Sequence, residues 1–228
     1  MREQAKMTIL LDHDQDHTLK RSAVDVMEAL PVITSETFPH TPNDFYSFKY
    51  VSMEAALKEV REPGDWAQFG VYKGALARMM LESLPEDGRL HLFDSFEGLP
   101  EDWISSWKAG AFALPDSEIP TFDDPRVAVH KGWFNKTVPD YMGANGEDLA
   151  FIHVDCDLYS STIDCLFGTN DRIKKGTILL FDEYRMAREG ETDDGEHRAL
   201  VEWVASRKRR VEYLWRTKWV QVCVRVQD

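Results

Sequence analysis

The chain has 228 residues, 43% of them apolar, and a formal net charge of −13. Its length and composition predict one α/β domain with appendages. Because phosphate binding depends on clustered cations, 27 Lys and Arg residues against 40 Asp and Glu residues argue against nucleic acid as a partner. No apolar run approaches the roughly 20 residues that a membrane span requires, so no membrane partner is expected.

The cysteines and the first residues favour the cytoplasm. Cys156, Cys165 and Cys223 are odd in number and lack Cys-x-x-Cys spacing, which favours a reducing compartment over a disulfide framework or a zinc site. Residues 1–6 contain no apolar core of an export signal. We therefore expect a cytoplasmic protein.

Residues 1–50 predict a helical and irregular extension ahead of a main domain, which we expect over residues 51–228. Residues 1–20 are polar and rich in Asp and His, which is typical of a solvated tail. The turn-rich, aromatic segment 38–46 is expected to wrap over the domain or to form part of a lid. Ser52 is predicted to cap the first helix of the main domain.

A strand, a glycine-bounded turn and a helix come next. Residues 65–69 predict a short strand and residues 75–84 a helix, and the turn between them runs from Gly70 to Gly74. This order is typical of Rossmann-like sheets, in which the first glycine allows a tight turn and the second lets the helix pack close to the strand. Tyr72 stands where a dinucleotide fingerprint requires glycine, so NAD is disfavoured and a cofactor without phosphates fits better.

Buried strands predicted along the chain end in acidic residues at three places: Asp94, Asp155 with Asp157, and Asp182 with Glu183. In an open parallel sheet, ligands bind outside the carboxyl ends of the strands. We therefore expect these carboxylates near one edge of the sheet, beside the glycine turn. Asp94 either accepts hydrogen bonds from a ribose diol or caps its loop. His153 lies in mid-strand and is expected to be a core histidine.

The segment 95–122 is long and irregular, and it is expected to be a lid or a substrate-binding insertion. Tyr159 and Tyr184 flank the acidic residues and are candidates for the substrate site. Several aromatic residues suggest a neutral or cationic, partly apolar acceptor molecule: Trp103, Trp107, Phe112, Phe45 and Tyr46.

The remaining strands complete the sheet. Residues 126–130 predict a strand, after which Trp133 or Phe134 either flanks an adenine ring or packs in the core. Residues 211–216 and 219–226 are separated by two residues, so they can form only an antiparallel hairpin. The expected architecture is an α/β fold with a mostly parallel sheet, helices on both faces and a C-terminal antiparallel hairpin.

This arrangement resembles the Rossmann-like fold of class I S-adenosylmethionine-dependent methyltransferases, which implies a seven-stranded sheet. Five motifs, in order over about residues 50–205, resemble those of the macrocin O-methyltransferase family: Phe69-Gly-Val-Tyr-Lys-Gly74, Phe93-Asp-Ser-Phe-Glu-Gly-Leu-Pro-Glu-Asp-Trp103, Lys131-Gly-Trp-Phe134, His153-Val-Asp-Cys-Asp-Leu-Tyr-Ser-Ser-Thr162 and Phe181-Asp-Glu-Tyr184.

The resemblance implies S-adenosylmethionine as the cofactor. It makes the glycine turn the cofactor turn, Asp94 the ribose acid and residues 131–134 the adenine side. The implied cofactor-binding residues are Gln68, Gly70, Tyr72, Gly74, Asp94, Ser95, Gly132, Trp133 and Asp155. The family usually has Glu where this chain has Gln68, so the charge pairing with the amino group of the cofactor is weaker here.

The resemblance also implies a magnesium ion held by Asp155, Asp182 and Glu183. Carboxylate oxygens suit Mg²⁺, and a metal-bound hydroxyl has a lowered pKa. Asp155 and Asp157 are the catalytic candidates, the latter as a general base or as a group that orients a ligand. The best-known members have Asp where this chain has Glu183, which is one methylene longer.

The sequence therefore predicts a magnesium-assisted O-methyltransferase that acts on a hydroxyl of a small molecule, such as a sugar or a natural product. The resemblance also implies a homodimer. One alternative is a methyltransferase-like domain that binds the cofactor but has lost turnover, with Gln68 and Glu183 as its signs. Another is a nucleotide-sugar or nicotinamide enzyme on a related sheet.

Overall fold

The computed structural model describes residues 9–34, 44–144, 146–188 and 190–228. The strands in these ranges are β1 (Ile9–Asp12), β2 (Val32–Ile33), β3 (Asp65–Phe69), β4 (Leu90–Asp94), β5 (Val127–Lys131), β6 (Leu149–Val154), β7 (Ile173–Phe181), β8 (Met186–Arg188), β9 (Glu191–Asp193), β10 (Arg210–Thr217) and β11 (Val222–Val226). The α-helices are α1 (Asp16–Leu19), α2 (Ala23–Ala29), α3 (Phe45–Leu57), α4 (Ala75–Ser83), α5 (Phe134–Gly143), α6 (Tyr159–Gly168) and α7 (Gly195–Arg207).

One mixed sheet forms the centre of the molecule. Its hydrogen-bonded order is β1-β10-β11-β7-β6-β3-β4-β5, and β2 also pairs with β10. The five strands from β7 to β5 are parallel to one another, whereas β11 runs antiparallel to β7 and β10 antiparallel to β11. The predicted parallel sheet and its antiparallel hairpin are thereby confirmed.

The described sheet has nine strands, two more than predicted, because β1 and β2 add to the β10 edge. Ile9 and Leu11 are buried in the core, and β1 pairs antiparallel with β10. The prediction of a solvated tail over residues 1–20 is therefore wrong for this strand. Apolar side chains at alternate positions bury against the sheet, and the strand covers what would otherwise be an open edge.

The first helix of the main domain begins earlier than predicted. Asp44 caps α3, since its carboxylate accepts a hydrogen bond from the backbone N–H of Ser47 at 2.9 Å. Ser52 lies inside the helix, where its hydroxyl donates to the carbonyl of Lys49 at 2.8 Å, so its predicted role as the cap is wrong. Most of the predicted lid segment 38–46 lies outside the described residues, and its last residues begin α3.

The strand order reverses between β3 and β6, and this reversal defines where a ligand fits. In doubly wound sheets a crevice opens outside the carboxyl ends of the strands at such a switch point.

Helices α3 and α4 cover one face of the sheet and α5, α6 and α7 the other, as predicted. No helix in the described ranges is both long and apolar enough to cross a membrane.

Candidate active site

A cavity of about 1140 Å³ opens at the switch point. It is bordered by the turn after β3, the ends of β4, β6 and β7, the first half of α3 and part of the segment 95–122. Ten predicted site residues line it: Gln68, Gly70, Tyr72, Asp94, Ser95, Gly132, Trp133, Asp155, Asp157 and Glu183. Gly74 and Asp182 lie beside it without lining it.

The glycine turn packs directly against the end of β6. Gly70 has φ +88°, and a Cβ atom there would stand 1.7 Å from the carbonyl oxygen of Asp155. Only glycine fits this position, as the sequence predicts. Gly74, with φ +77°, caps α4, but a Cβ there would meet the side chains of Pro120 and Phe122, at 3.0 and 3.1 Å. The prediction that Gly74 allows close helix–strand packing is therefore wrong: it makes room for the segment 95–122.

Asp94 and Gln68 hold this turn. One carboxylate oxygen of Asp94 accepts hydrogen bonds from the backbone N–H groups of Val71 and Tyr72 at 2.7 and 2.8 Å, and the other accepts one from Phe96 at 2.7 Å. The buried Gln68 side chain donates to the carbonyl oxygen of Gly70 at 2.8 Å. Among the described residues, the Gln68 Oε1 atom has no hydrogen-bond partner.

The four acidic residues at the ends of β6 and β7 lie together and form what we call the acidic rim: Asp155, Asp157, Asp182 and Glu183. One carboxylate oxygen each from Asp155, Asp157 and Glu183 lies within 4.8 Å of the others. Asp182 is fully buried behind them. Asp157 has φ +63°, a left-handed conformation that costs energy for a residue with a side chain and is common at functional sites. The predicted convergence of the strand-end acids is confirmed.

A lysine that the sequence analysis did not single out sits within the acidic rim. The Nζ atom of Lys49 lies 3.4 Å from Asp155 Oδ1 and 3.1 Å from Glu183 Oε1, and it also forms an ion pair with Asp182. Burial opposes its charge, but the three carboxylates raise the Lys49 pKa well above its ordinary value. The ammonium group therefore stays protonated and keeps its positive charge in the cavity.

The signal for Lys49 was present in the sequence. Tyr46, Lys49, Tyr50 and Met53 stand at helical spacing on α3, but a helix predicted to begin only after Ser52 leaves the first three in a loop. Tyr46, Lys49 and Tyr50 all line the cavity.

Crowding gives the acidic rim unusual protonation behaviour. Burial, followed by repulsion from neighbouring carboxylates, raises the pKa of Glu183 well above its usual range; burial likewise raises the pKa of Asp155 well above its usual range and that of Asp157 to about 7. Although burial opposes it, Lys49 lowers the pKa of Asp182. The arrangement can therefore bind a cation or accept a proton.

Two further residues pack behind the acidic rim. Glu196, in the first turn of α7, is fully buried and accepts a hydrogen bond from the backbone N–H of Glu183 at 3.1 Å. Tyr184, a predicted lining residue, is fully buried and bonds His197 and Tyr213 through its hydroxyl, at 2.6 Å each. Tyr184 therefore belongs to the core behind the site.

Aromatic side chains from several elements also line the cavity. Trp103 and Trp107 stack with ring centroids 4.9 Å apart, and Trp103 Nε1 donates to Asp193 Oδ2 in the β8–β9 hairpin at 2.7 Å. Four of the predicted aromatic residues line the cavity, namely Trp103, Trp107, Phe112 and Tyr46. Tyr50 and Trp219, which were not predicted, line it as well. The side chain of Phe45 lies outside the described residues.

His153 and Phe134 have mainly structural surroundings. His153 is fully buried, and among the described residues neither of its ring nitrogens has a hydrogen-bond partner. Burial lowers the His153 pKa to about 4, so the ring is neutral in the core, as predicted. Phe134 packs edge-on against Phe69, with ring centroids 5.2 Å apart, while also lining the cavity beside Trp133.

Solved structures with the same fold include the O-methyltransferase NovP, which is 22% identical with a TM-score of 0.62 over 79% of this chain and 80% of that chain. They also include the calicheamicin methyltransferase CalS11, 22% identical with a TM-score of 0.63 over 93% of this chain and 92% of that chain. The fold is thus the class I methyltransferase fold. The methyltransferase domain family matches residues 67–184, just over half of the chain. The chain belongs to this family, which confirms the resemblance seen in its motifs.

Two curated relatives come from Streptomyces. The 8-demethyl-8-(2,3-dimethoxy-alpha-L-rhamnosyl)-tetracenomycin-C 4'-O-methyltransferase of Streptomyces olivaceus is 32% identical over 54% of this chain and 53% of its own length. The demethyldecarbamoylnovobiocin O-methyltransferase of Streptomyces niveus is 29% identical over 60% of this chain and 59% of its own length. The matched part of the chain thus spans little more than half the length of either relative.

Proposed function

We propose that this chain is an S-adenosylmethionine-dependent O-methyltransferase that methylates a hydroxyl group of a small molecule, such as a sugar or a natural product. The observation that carries the proposal is the single cavity of about 1140 Å³ that the glycine turn shares with the acidic rim. Membership of the methyltransferase domain family supports the reaction type, and the two Streptomyces relatives support the class of acceptor.

The residues present fit S-adenosylmethionine. Gly70 leaves no side chain between the turn and the cavity, and Asp94 presents a carboxylate to it. Asp94 would hold the ribose, and Gly132 with Trp133 the adenine. The amino acid part would lie near Gln68, whose Oε1 atom has no hydrogen-bond partner within the described ranges. Tyr72, Gly74, Ser95 and Asp155 complete the proposed set.

The chain's own residues prepare the acceptor for transfer. S-adenosylmethionine supplies a methyl group on a positively charged sulfur. Asp155 and Asp157 lie in the cavity at the acidic rim, where a carboxylate can accept the proton of the acceptor hydroxyl. The aromatic rings that line the same cavity exclude water and hold the acceptor in one orientation, which places its oxygen for an in-line displacement.

The acidic rim also fits a magnesium ion. Its donors are hard carboxylate oxygens, three of which lie within 4.8 Å of one another, and in the described part of the chain the buried Glu183 Oε2 atom has no hydrogen-bond partner. Asp155, Asp182 and Glu183 would hold the ion. Bound there, it would lower the pKa of the acceptor hydroxyl.

The lining of the cavity favours a partly apolar acceptor. Aromatic faces pack against sugar rings and planar ring systems, and the acidic rim favours a neutral or cationic molecule over an anion. We further propose that the enzyme is a cytoplasmic homodimer that binds neither nucleic acid nor membranes.

Calorimetry and product analysis test this function. The chain is expected to bind S-adenosylmethionine and not NADH, and to form S-adenosylhomocysteine with Mg²⁺ and a glycosylated aromatic acceptor. Glu183→Gln should reduce product formation while leaving the cofactor affinity unchanged. Absence of S-adenosylmethionine binding would overturn the proposal. Binding without turnover across a panel of hydroxylated acceptors would favour the binding-protein alternative.

A further inference from the structure

Lys49 occupies a position that neither the family match nor the proposed function explains. It lies on α3, outside the matched residues 67–184, yet its ammonium group reaches three members of the acidic rim. Two of these partners, Asp182 and Glu183, are almost completely buried. Buried carboxylates without a compensating charge are costly, so this ammonium stabilises the acidic rim.

The Lys49 ammonium and a divalent cation need the same carboxylates. Asp155 and Glu183 are partners of Lys49, and they also belong to the group of oxygens that lie within 4.8 Å of one another. An ion ligated by both would stand within about 2.1 Å of each oxygen and would therefore overlap the place of the Nζ atom. Two positive charges at such short range also repel each other strongly.

The charge balance favours exchange between the two cations. The acidic rim has four carboxylates, and the single Lys49 ammonium pairs with three of them. A divalent ion brings twice the charge, so it can displace the lysine. Lys49 is also partly exposed on the cavity side, which gives its flexible side chain room to leave.

We infer that Lys49 is the resident cation of the acidic rim, and that a divalent metal ion binds there only by displacing the Lys49 ammonium. This inference rests on the metal site of the proposed function. The acidic rim then has two states, one in which the Lys49 ammonium pairs with the carboxylates and one in which a metal ion does. The lysine weakens metal binding, and it keeps the acids paired when no ion is present.

Metal titration of the full chain without cofactor tests the competition. Free Mn²⁺ is followed by electron paramagnetic resonance in the wild type and in Lys49→Met, Lys49→Arg and Lys58→Met. Lys58 also lies at α3, but it pairs with Glu54 at 2.6 Å, away from the cavity. Removing the competing charge in Lys49→Met should tighten Mn²⁺ binding at least about tenfold. Lys49→Arg and Lys58→Met should bind Mn²⁺ as weakly as the wild type.

A second measurement uses the wild type, so it does not depend on how a variant folds. Amine labelling followed by mass spectrometry should show Lys49 several times more reactive when Mg²⁺ is present, because the displaced side chain faces solvent. Lys58 provides the internal reference.

Equal Mn²⁺ affinities in the wild type and a folded Lys49→Met variant, Mn²⁺ binding to neither, or Lys49 labelling that Mg²⁺ leaves unchanged would each overturn the inference. Formation of S-adenosylhomocysteine is measured separately. A chain without turnover that still shows the exchange would refute the proposed function and leave the inference standing.

Discussion

The acidic rim and the elements that cover it are built in different ways. The backbone N–H of Asp155 donates to Phe69 at 2.9 Å and that of Asp182 to Val154 at 2.9 Å, so these acids continue the hydrogen-bonding pattern of the sheet. The cover consists of the first half of α3, the segment 95–122 and the hairpin connection at residues 218–221. It faces the cavity with aromatic side chains, several of them exposed.

We expect this difference to separate chemistry from selectivity. The family match ends at residue 184 and includes the whole acidic rim, whereas α3 and the hairpin connection lie outside it. Rigid strand ends fix where charge is placed, and loops and helix ends can vary in the acceptor that they fit. Changes at the rim should therefore remove activity or stability, and changes in the cover should alter acceptor binding.

The largest effect is expected at Asp157. Asp157→Asn removes a carboxylate that can take the acceptor proton, so kcat should fall by about 10²–10⁴-fold. The affinity for S-adenosylmethionine, measured by calorimetry, should stay unchanged. Asp164→Asn is the control, because Asp164 also lines the cavity but lies on α6 outside the acidic rim. Equal losses in the two variants would contradict a special role for the rim.

Gly70→Ala, in the turn that packs against Asp155 of the acidic rim, should be strongly destabilising. The new Cβ would stand 1.7 Å from the Asp155 carbonyl oxygen, and the backbone has φ +88°, so the free energy of unfolding should fall by about 3 kcal/mol or more. Gly110 in the cover has φ +81°, but a Cβ there meets no described atom within 4 Å. Gly110→Ala should cost only the backbone strain of about 1–2 kcal/mol. Urea denaturation measures the free energy of unfolding of both variants. Equal losses would show that the structure around Gly70 relaxes to remove the contact with Asp155.

The rim was predictable from sequence because its signal is local. Asp155 and Asp182 directly follow apolar strands, and the rule that parallel strands deliver their carboxyl ends to one edge places them together without further information. The role of Gly70 could be predicted in the same way, since the turn residue directly follows its strand. The burial of Tyr184 could not be predicted, because it depends on partners from α7 and β10.

The cover was predicted less well because its contacts are long-range. The helical spacing on α3 groups Lys49 with its neighbours, but Lys49 and Asp155 are 106 positions apart, and no local pattern pairs the two. Ser52 followed by good helix formers satisfies the rules for a cap as well as Asp44 does, so the helix start was misplaced. Strand β1 has only 4 residues, too few for a clear alternating pattern.

Trp219 tests whether the cover selects the acceptor. Its ring is 38% exposed and lines the cavity on the hairpin connection. Trp219→Ala should raise KM for the acceptor by about tenfold, the loss expected from one stacked aromatic contact, with little change in kcat. Leu10→Ala is the control, because Leu10 is 37% exposed on β1, outside the cavity. A fall in kcat at unchanged KM would instead give Trp219 the kind of effect expected of the acidic rim.

The dependence of stability on pH concerns the scaffold that precedes residues 131–134. His130 on β5 lies 3.1 Å from His91 between ring nitrogens and stacks on Phe93, and burial, then the charge of His91, lowers the His130 pKa to about 4. The ordinary histidine pKa is about 6.5. Between these values the unfolded chain binds more protons, so stability is lost as the pH falls through this window.

His130→Phe should therefore flatten the dependence of the free energy of unfolding on pH between about pH 4 and 6.5, by at most about 1.4 kcal/mol per pH unit. Urea denaturation at several pH values measures the slope. Part of the slope should remain, because the buried His153 has a pKa lowered to about 4 as well. Wild-type and variant curves that stay parallel from pH 4 to 6.5 would show that the His130 ring takes up its proton in the folded chain as readily as in the unfolded one.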